Sequence, residues 1–500
     1  MNREKKLVKT PAGADRIPEQ SALKRRVAGL FRLVLFLGLF ACLYHKAQEI
    51  LKLDMGHRGT DNVTGFYAEK EDSIEVLFIG ASTMFCTADP LVLYEEYGIA
   101  SYDFGSSAQP FALSYLFMQE AFRTQKPKVV ALEMLSVGNE LDTAKADNLN
   151  YGLTDMPFSL TKARGIYDMF QDDKGTGLSY LLPMMQYKDR WQELTEEDFT
   201  DGRTGQGYPI RNYAKGAYTP DLVAPSALDF SSYYEAQEFA IPERNLEIFA
   251  QMVALCEEND ARLLLFKSPN VGWNISQTRA VQALAQEYNL PFLDFFSLME
   301  ELEIDPARDF RDNTHFNRYG SRKASCYLGE YLKAHYDLTD YRMTDSDNSW
   351  DLALQGREHD RANERVAKAG GLPDYMALIP YAGHTVVFSV TGDCGQMADF
   401  LRQLAGAFGL DAEKLLAGGS FSVRDGQCIS GLIGTDDKPW RWECGSDTML
   451  LTGYSITYDR DIYQLVDDGL TILVYDNEWE ELVDVAGFDA YDPAHAIRSE

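Results

Sequence analysis

The sequence has 500 residues and a mass of 56.4 kDa, which is too long for one hydrophobic core and predicts two or three domains. Hydrophobic residues make up 45% of the chain and charged residues only 25%, which excludes a wholly disordered, collagen-like or coiled-coil protein. The formal net charge of −30 argues against a nucleic acid partner, because bulk electrostatics would repel a polyanion.

The N-terminal segment predicts a membrane anchor. Residues 1–26 carry eight basic and three acidic groups, and residues 27–44 form an apolar run in which Arg32 is the only charge. Such a run is long enough to cross or nearly cross a bilayer. The positive-inside rule then places residues 1–26 in the cytoplasm and the chain beyond about residue 45 outside. We therefore expect a single-pass protein of the cell membrane.

Two other interpretations of this segment are open. A cleaved signal peptide also combines a basic start with an apolar run, but no small-residue cleavage pattern precedes His45 and Lys46. A lipoprotein-type box ending at Cys42 would need a small residue where Phe40 stands. An uncleaved transmembrane helix is the preferred interpretation.

Residues 70–336 predict an α/β domain. Short β-rich runs alternate with helical patterns, with strands over 74–80, 101–104, 129–134, 262–267 and 291–295 and helices near 88–97, 111–124, 243–258, 277–288 and 317–335. A polar, turn-rich insertion interrupts this alternation over about 140–235. The pattern predicts a parallel sheet flanked by helices, which binds ligands at the carboxyl ends of its strands.

The remainder of the chain predicts a second domain. Residues 337–370 are polar and indicate a linker that contains a short helix. Residues 371–500 predict a smaller β-rich α+β domain, in which 375–390 is strand-like and 396–407 is helical. Since the hydrophobic pattern of 371–500 looks complete, we expect this segment to fold on its own.

The seven cysteines include no C-x-x-C pair and no Cys/His metal spacing, so the sequence predicts neither a metal site nor a cofactor. Cys428 and Cys444 are the pair that suggests a disulfide. Buried free thiols are an equally open alternative.

Two short segments carry candidate catalytic residues. Ser82 follows the first predicted strand in Gly-Ala-Ser-Thr, on a turn where backbone amides point toward its side chain. Asp312 precedes His315 by three residues, a spacing at which a carboxylate can orient an imidazole whose other nitrogen faces a serine. Turn chemistry or helix capping would explain each segment alone. Both fall on one rim of the predicted sheet, so we predict Ser82 as nucleophile, His315 as base and Asp312 as orienter.

Residues 70–336 resemble the SGNH (GDSL-like) hydrolases, of the membrane-anchored cell-envelope acyltransferase kind that includes DltD, AlgJ and AlgX. The resemblance rests on Gly80-Ala-Ser82, on Gly105 and on Asp312-x-x-His315. It implies an SGNH-type parallel sheet and an acyl-serine mechanism, in which the Gly105 amide helps to bind the oxyanion.

The side-chain oxyanion donor stays open. The family's Gly-x-Asn-Asp block is not cleanly present, and Gly138-Asn139-Glu140 is its nearest approximation. Asn139, Gln109 and backbone amides are the alternatives.

Two residues are candidates for substrate binding. Lys267 ends the strand 262–267 and would reach the same rim, where it could bind an anionic or carbonyl group, although a snorkelling lysine is an equal alternative. Trp191 lies in an aromatic and charged stretch of the insertion, which suits either a lid that stacks on sugar rings or a packed surface helix. Residues 371–500 resemble the ILEI/PANDER-type domain, chiefly over 469–476, and this resemblance implies glycan binding.

Together these features predict an extracytoplasmic serine acyltransferase or esterase that acts on acyl groups of a cell-envelope polysaccharide or teichoic-acid-type polymer. A sugar hydroxyl as acceptor would make the protein a transferase, and water would make it an esterase. The alternative is a catalytically degenerate glycan-binding or scaffold partner of a membrane-bound O-acyltransferase. The incomplete third block favours this alternative, whereas the intact serine, histidine and aspartate set disfavours it.

Overall fold

The structure is a computed structural model that describes residues 19–51, 60–141, 146–182, 184–194, 214–344, 349–444, 447–459 and 461–498. The chain divides into two compact units, Met1–Asp347 (the first unit) and Asn348–Glu500 (the second unit).

The helices of the first unit are α1 (Glu19–Leu51), α2 (Thr60–Ala68), α3 (Ser82–Phe85), α4 (Pro90–Tyr97), α5 (Phe111–Ala121), α6 (Ala146–Leu153), α7 (Leu160–Met169), α8 (Lys174–Leu181), α9 (Met184–Tyr187), α10 (Glu243–Glu258), α11 (Ile275–Glu287) and α12 (Arg318–His335). Its strands are β1 (Val76–Gly80), β2 (Ser101–Gly105), β3 (Val129–Glu133), β4 (Arg262–Lys267) and β5 (Phe292–Asp294).

Helix α1 contains the apolar N-terminal run. Its segment Arg26–Gln48 has 23 residues and is apolar enough to cross a membrane by length and composition. At 1.5 Å per residue this segment is about 35 Å long, which exceeds a hydrocarbon core of about 30 Å. One N-terminal helix of suitable length and polarity is therefore confirmed, while the first 18 residues of the predicted cytoplasmic tail lie outside the described residues.

A five-stranded parallel sheet in the order β2-β1-β3-β4-β5 forms the centre of the first unit. Every residue of β1, β2 and β3 is buried, as is usual for a parallel sheet covered on both faces. In β1, Leu77 and Ile79 pack into one hydrophobic core, whereas Val76 and Phe78 pack into another. The predicted parallel α/β sheet is confirmed.

The strand order explains where a site can form. From β1 the chain passes to β2 on one side, and β3 then pairs with the other side of β1. The carboxyl end of β1 thus lies at the point where the order of the sheet reverses. Open α/β sheets bind their ligands at this position.

The insertion over 140–235 contains the helices α6 to α9 within its described part, although the sequence predicted mainly turns. Lys162 on α7 is buried and its Nζ donates hydrogen bonds to the carbonyl oxygens of Leu153 (2.8 Å) and Met156 (2.7 Å). These two hydrogen bonds attach the end of α6 and the loop that follows it to α7.

The second unit is β-rich, as predicted. Its helices are α13 (Ser349–Lys368), α14 (Leu372–Leu378), α15 (Ala398–Ala407) and α16 (Ala412–Leu416), and its strands are β6 (His384–Thr391), β7 (Gly419–Arg424), β8 (Gln427–Cys428), β9 (Trp440–Cys444), β10 (Asp447–Leu451), β11 (Ile456–Tyr458), β12 (Asp461–Tyr463), β13 (Gly469–Asp476) and β14 (Glu481–Asp489). They form two antiparallel sheets, in the orders β14-β13-β6-β7-β8 and β12-β11-β10-β9.

Three details of this unit bear on the sequence-based expectations: two differ from them, and the third decides between two open alternatives. The expected linker contains the 20-residue helix α13, which belongs to the second unit and places Val366 in its core. The strand-like run 375–390 includes the end of α14 before β6 begins. Cys428 has a free thiol, so no disulfide joins it to Cys444.

Candidate active site

Ser82 lies directly beyond the carboxyl end of β1. The chain leaves the buried strand at Gly80, and Ser82 is the first residue of the short helix α3. Its side chain is half-buried, whereas the three residues that follow it in α3 are buried. The strand and the helix thus fix the backbone of Ser82 while its hydroxyl group stays accessible.

His315 lies on a tight turn that precedes α12. Phe310 and Phe316 form an antiparallel bridge at the base of this turn, and their rings pack 4.8 Å apart in the core. The amide of Arg311 donates to the carbonyl of His315 at 3.0 Å and closes the turn. Asn317 caps α12 by accepting from the amide of Tyr319 at 2.9 Å. The turn is therefore anchored to both the core and the last helix.

The structure brings Ser82, His315 and Asp312 together in a chain of hydrogen bonds. His315 Nε2 lies 2.8 Å from Ser82 Oγ. On the other side of the ring, His315 Nδ1 lies 2.8 Å from Asp312 Oδ1 and 2.9 Å from Oδ2. Because a carboxylate only accepts, Nδ1 carries the proton and Nε2 is left to accept from the serine. This is the arrangement that activates a serine for attack on an acyl group.

The turn itself keeps Asp312 ionised. Burial alone would raise the pKa of the Asp312 carboxyl, but hydrogen bonds from His315 and from the amide and hydroxyl of Thr314 hold it well below its usual range. Arg311 adds a positive charge, since its Nε lies 3.4 Å from Asp312 Oδ2. Sequence reasoning did not identify Thr314 or Arg311, although both adjoin the predicted pair.

Two glycines let the strand ends approach each other beside Ser82. Gly80 of β1 pairs in register with Gly105 of β2. A Cβ at Gly105 would lie only 2.2 Å from the carbonyl oxygen of Gly80, and a Cβ at Gly80 would lie 2.7 Å from Glu133 Cβ. Any larger residue would push these strands apart, so Gly105 is held at the same sheet edge as Ser82.

The two candidate side-chain oxyanion donors, Asn139 and Gln109, differ in burial, and neither has a hydrogen bond to the triad among the described contacts. Asn139 is exposed, and its carbonyl accepts from Asn245 Nδ2 at 3.0 Å. Gln109 is buried, and its amide group accepts from Ser106 (3.1 Å) and donates to Ser114 (2.9 Å). Both hydrogen bonds of the Gln109 amide group thus stay within its own loop and α5.

Lys267 ends β4 as predicted, but it is 1% exposed and does not project from the rim. Its Nζ donates to the carbonyl of Ser268 and lies 4.8 Å from the centre of the Trp273 ring. Burial lowers the pKa of Lys267 to about 8, although the nearby carboxylates of Glu133 and Asp294 oppose this shift. The contacts of Lys267 are thus with buried groups at the end of β4 and in the loop that follows.

Glu133 is a buried carboxyl group near Lys267, and sequence reasoning missed it. It ends β3, is fully buried, and accepts from the amide of Leu135 at 3.0 Å. Its Oε1 has no hydrogen-bond partner among the described residues. Burial raises the pKa of the Glu133 carboxyl to about 7, although the charge of Lys267 opposes this shift. A strand-end carboxylate after a wholly apolar run was the available signal.

Trp191 is 64% exposed and belongs to a 3₁₀ turn, Lys188–Gln192, in the insertion. This turn packs against α1 and α9. The neighbouring Arg190 donates from Nη1 to the carbonyl of Ile50, near the end of α1, at 3.2 Å. The structure therefore places Trp191 beside the end of the apolar N-terminal helix.

An open pocket of about 350 Å³ borders the His315 turn on the Asp312 side. Its lining comes from Arg311, Asp312 and Thr314 on the turn and from Ala224 and Leu228 in the insertion. The amide of Ala224 donates to the carbonyl of Phe310 at 2.8 Å and so attaches the insertion to the turn.

Comparisons with known proteins find similar solved structures but no matching family model. No protein-family model matches the chain, and no curated protein matches it. Among solved structures, the chain is similar to a protein assigned to the lipolytic G-D-S-L family from Desulfitobacterium hafniense, with 14% identity, a TM-score of 0.27 and coverage of 51% of this chain and 98% of that chain. It is also similar to a protein assigned as an acylhydrolase from Bacteroides fragilis, with 13% identity, a TM-score of 0.28 and coverage of 57% and 99%. With TM-scores below 0.5, neither likeness assigns a family or an activity.

Proposed function

We propose that the protein is a membrane-anchored serine acyltransferase or esterase that acts on acyl groups of a cell-envelope polysaccharide or teichoic-acid-type polymer. The observation that carries this proposal is the unbroken contact of Ser82 Oγ, the His315 ring and the Asp312 carboxylate at 2.8 to 2.9 Å. The motifs shared with the SGNH hydrolases add support, because Ser82, Asp312 and His315 are the residues that the resemblance assigns to catalysis.

The proposed first step is acylation of the serine. Ser82 Oγ attacks the acyl carbonyl carbon while its proton passes to His315 Nε2. The negative charge that develops on the carbonyl oxygen is stabilised by the amides of Ser82 and Gly105. Asp312 stabilises the imidazolium and does not itself take the proton. The tetrahedral intermediate then breaks its bond to the donor alcohol, which leaves with the proton from His315.

The second step removes the acyl group from Ser82. His315 Nε2 takes a proton from the acceptor hydroxyl, the acceptor oxygen attacks the acyl-serine, and Ser82 Oγ leaves and recovers its proton. A sugar or polyol hydroxyl gives transfer, whereas water gives hydrolysis. The outcome depends on how well the bound acceptor excludes water from Ser82.

The proposed location follows from α1 and the charge before it. A helix anchored in the cytoplasmic membrane with its basic end inside leaves the chain beyond about residue 45 outside, where cell-envelope polymers are found. The exposed Trp191 beside the end of α1 is suited to the membrane interface, where tryptophan is enriched. This position favours a polymer held close to the membrane surface.

The test is covalent labelling of the full-length protein in detergent with a fluorophosphonate probe, combined with turnover of an activated acetyl ester. We expect wild type to label and turn over, and Ser82→Ala to lose both activities. Ser73→Ala is the matched control, because Ser73 is also half-buried in the first unit but donates its hydroxyl to the carbonyl of Lys70 at 2.7 Å. This control should label like wild type.

Two results would contradict the proposed role of Ser82. Wild type that neither labels nor turns over would favour the scaffold or glycan-binding partner of a membrane-bound O-acyltransferase. Labelling and turnover that persist in Ser82→Ala would show that another residue is the nucleophile.

A further inference from the structure

The second unit contains a cluster of two histidines and an aspartate that has no role in the proposed acyl transfer. His359 lies on α13, His384 begins β6 and Asp476 ends β13. One ligand atom from each of these residues lies within 4.8 Å of the other two. His384 and Asp476 are at most 1% exposed, whereas the His359 side chain is 22% exposed and provides access from solvent.

Both histidines face the same carboxylate oxygen. His359 Nε2 contacts Asp476 Oδ2 directly, and His384 Nε2 lies 3.6 Å from that oxygen. The other oxygen, Oδ1, accepts from the amides of Glu478 (2.9 Å) and Trp479 (3.0 Å). These two backbone bonds fix the carboxylate so that Oδ2 points between the two imidazole rings.

A hydrogen bond at Nδ1 orients the ring of His384. Its Nδ1 donates to the carbonyl of Ala382 at 2.8 Å, and a carbonyl can only accept, so Nδ1 carries the proton of the neutral ring. A neutral imidazole then presents the lone pair of Nε2 to the cluster. Metal-binding histidines are oriented in this way, with the second nitrogen bonded to a carbonyl or carboxylate.

The contacts within the cluster lack one hydrogen-bond donor or positive charge. Asn363 Nδ2 donates to Asp476 Oδ2 at 2.8 Å, which points Asn363 Oδ1 at His384 Nε2 across 3.0 Å. That contact joins two acceptors. Turning the amide round gives His384 a donor but places Asn363 Oδ1 against Asp476 Oδ2, which are again two acceptors. With a neutral His384, either orientation leaves one contact between two acceptors in a buried place, and a bound cation would remove it.

We propose that His359, His384 and Asp476 bind one divalent transition-metal ion of the zinc class. Two imidazoles and one carboxylate are typical ligands of zinc, whereas calcium and magnesium prefer oxygen ligands alone. The protein supplies three ligands, and the exposed edge of His359 leaves a fourth position for water or a ligand. Asn363 then orients Asp476 from outside the coordination sphere.

Such an ion would join three separate elements of the second unit. The ligands come from α13, β6 and β13, so the metal would attach the helix to the centre of the sheet. Because these ligands are brought together only by folding, binding should stabilise the folded unit. The sequence predicted no metal site because the ligands do not form a short motif.

The test is Zn²⁺ binding by the full-length protein in detergent, stripped with a chelator and titrated by calorimetry, with Co²⁺ absorption as a second readout. We expect one Zn²⁺ per chain, a raised unfolding midpoint, and a visible Co²⁺ spectrum of nitrogen and oxygen coordination. His359→Gln should weaken Zn²⁺ binding at least 100-fold, and Asp476→Asn should do the same with little change of shape. His495→Gln is the matched control, since His495 contacts Asp492 at 2.9 Å in the same unit but is exposed.

Three outcomes would overturn the proposal. Failure of Zn²⁺ and Co²⁺ to bind to wild type would show that the cluster is not a metal site. Binding unchanged in both His359→Gln and Asp476→Asn would place the ion elsewhere, as would binding lost in His315→Gln. Circular dichroism of each metal-free variant separates loss of a ligand from loss of fold. These outcomes are independent of Ser82, so they do not depend on the proposed acyl transfer.

Discussion

His315 Nε2 lies 2.8 Å from Ser82 Oγ, although 233 residues separate the two in the chain. Each residue is held by a different part of the first unit, Ser82 by the end of β1 and His315 by the turn before α12. Neither segment contains a ligand-specific signal by itself. The parallel sheet creates the contact, because the turn before its last helix reaches the edge where β1 ends.

Asp312→Asn should reduce turnover of an activated ester by about 10³ to 10⁴-fold while the fold is retained. The amide can donate to His315 Nδ1 and so favours the tautomer that cannot accept from Ser82. Asp492→Asn is a matched control, because Asp492 and His495 have the same three-residue spacing and contact in the second unit. Steady-state kinetics of both variants decide the matter, and wild-type turnover in Asp312→Asn would exclude Asp312 as orienter.

Glu133→Gln should change how the stability of the first unit depends on pH. A carboxyl whose pKa rises from 4.5 to about 7 on folding stabilises the folded state below pH 4.5, and this contribution is lost as pH rises through about 7. Relative to Glu133→Gln, wild type should therefore lose on the order of 3 kcal/mol between these pH values. Denaturant unfolding at several pH values measures the difference, with the exposed Glu301→Gln as control. A difference that does not vary with pH would contradict the buried, protonated state.

A fragment of residues 348–500 should unfold cooperatively, whereas residues 371–500 should be much less stable or unfolded. The shorter fragment lacks α13, which buries Trp350, Ala353 and Val366. Removing a fully buried valine alone costs about 1 to 3 kcal/mol, and α13 contributes several such contacts. Thermal unfolding followed by circular dichroism compares the two fragments. Equal stability would show that α13 is dispensable to the second unit.

Protease added to intact spheroplasts should digest the chain beyond about residue 45 and leave an N-terminal tag protected. The basic residues before α1 favour retention of this end in the cytoplasm. Immunoblots with antibodies to the tag and to the C-terminus measure the two ends. Digestion of the tag with protection of the rest would reverse the topology, and release of a soluble protein lacking α1 would favour a cleaved signal peptide.

The parallel sheet was predictable because its strands are short, mainly apolar runs separated by helical patterns. Helix α13 was not, because its buried face includes Arg357 and Asn363 beside Trp350, Ala353 and Val366. A polar residue at a core-facing position hides the helical period. A search for apolar residues alone therefore predicted a linker where the structure has α13.

The candidate triad was predictable from the sequence only because the parallel sheet was predicted first. The spacing Asp-x-x-His occurs three times in the sequence, at Asp54 with His57, Asp312 with His315 and Asp492 with His495. The Asp54 pair lies outside the described residues, and in the other two pairs the carboxylate contacts Nδ1. Position on the sheet edge distinguishes the Asp312 pair. The burial of Lys267 near Glu133 depends on how β3 and β4 align, which residue spacing does not reveal.

The turn closed by Phe310 and Phe316 carries both the base and its carboxylate, whereas Ser82 belongs to the end of β1. A movement of the turn would therefore carry Asp312 and His315 together and leave their mutual contact intact. The contact that such a movement can break is the one to Ser82. Regulation of the proposed acyl transfer would then act on a single distance, the gap between the turn and the end of β1. An inactive state would retain a correctly oriented histidine.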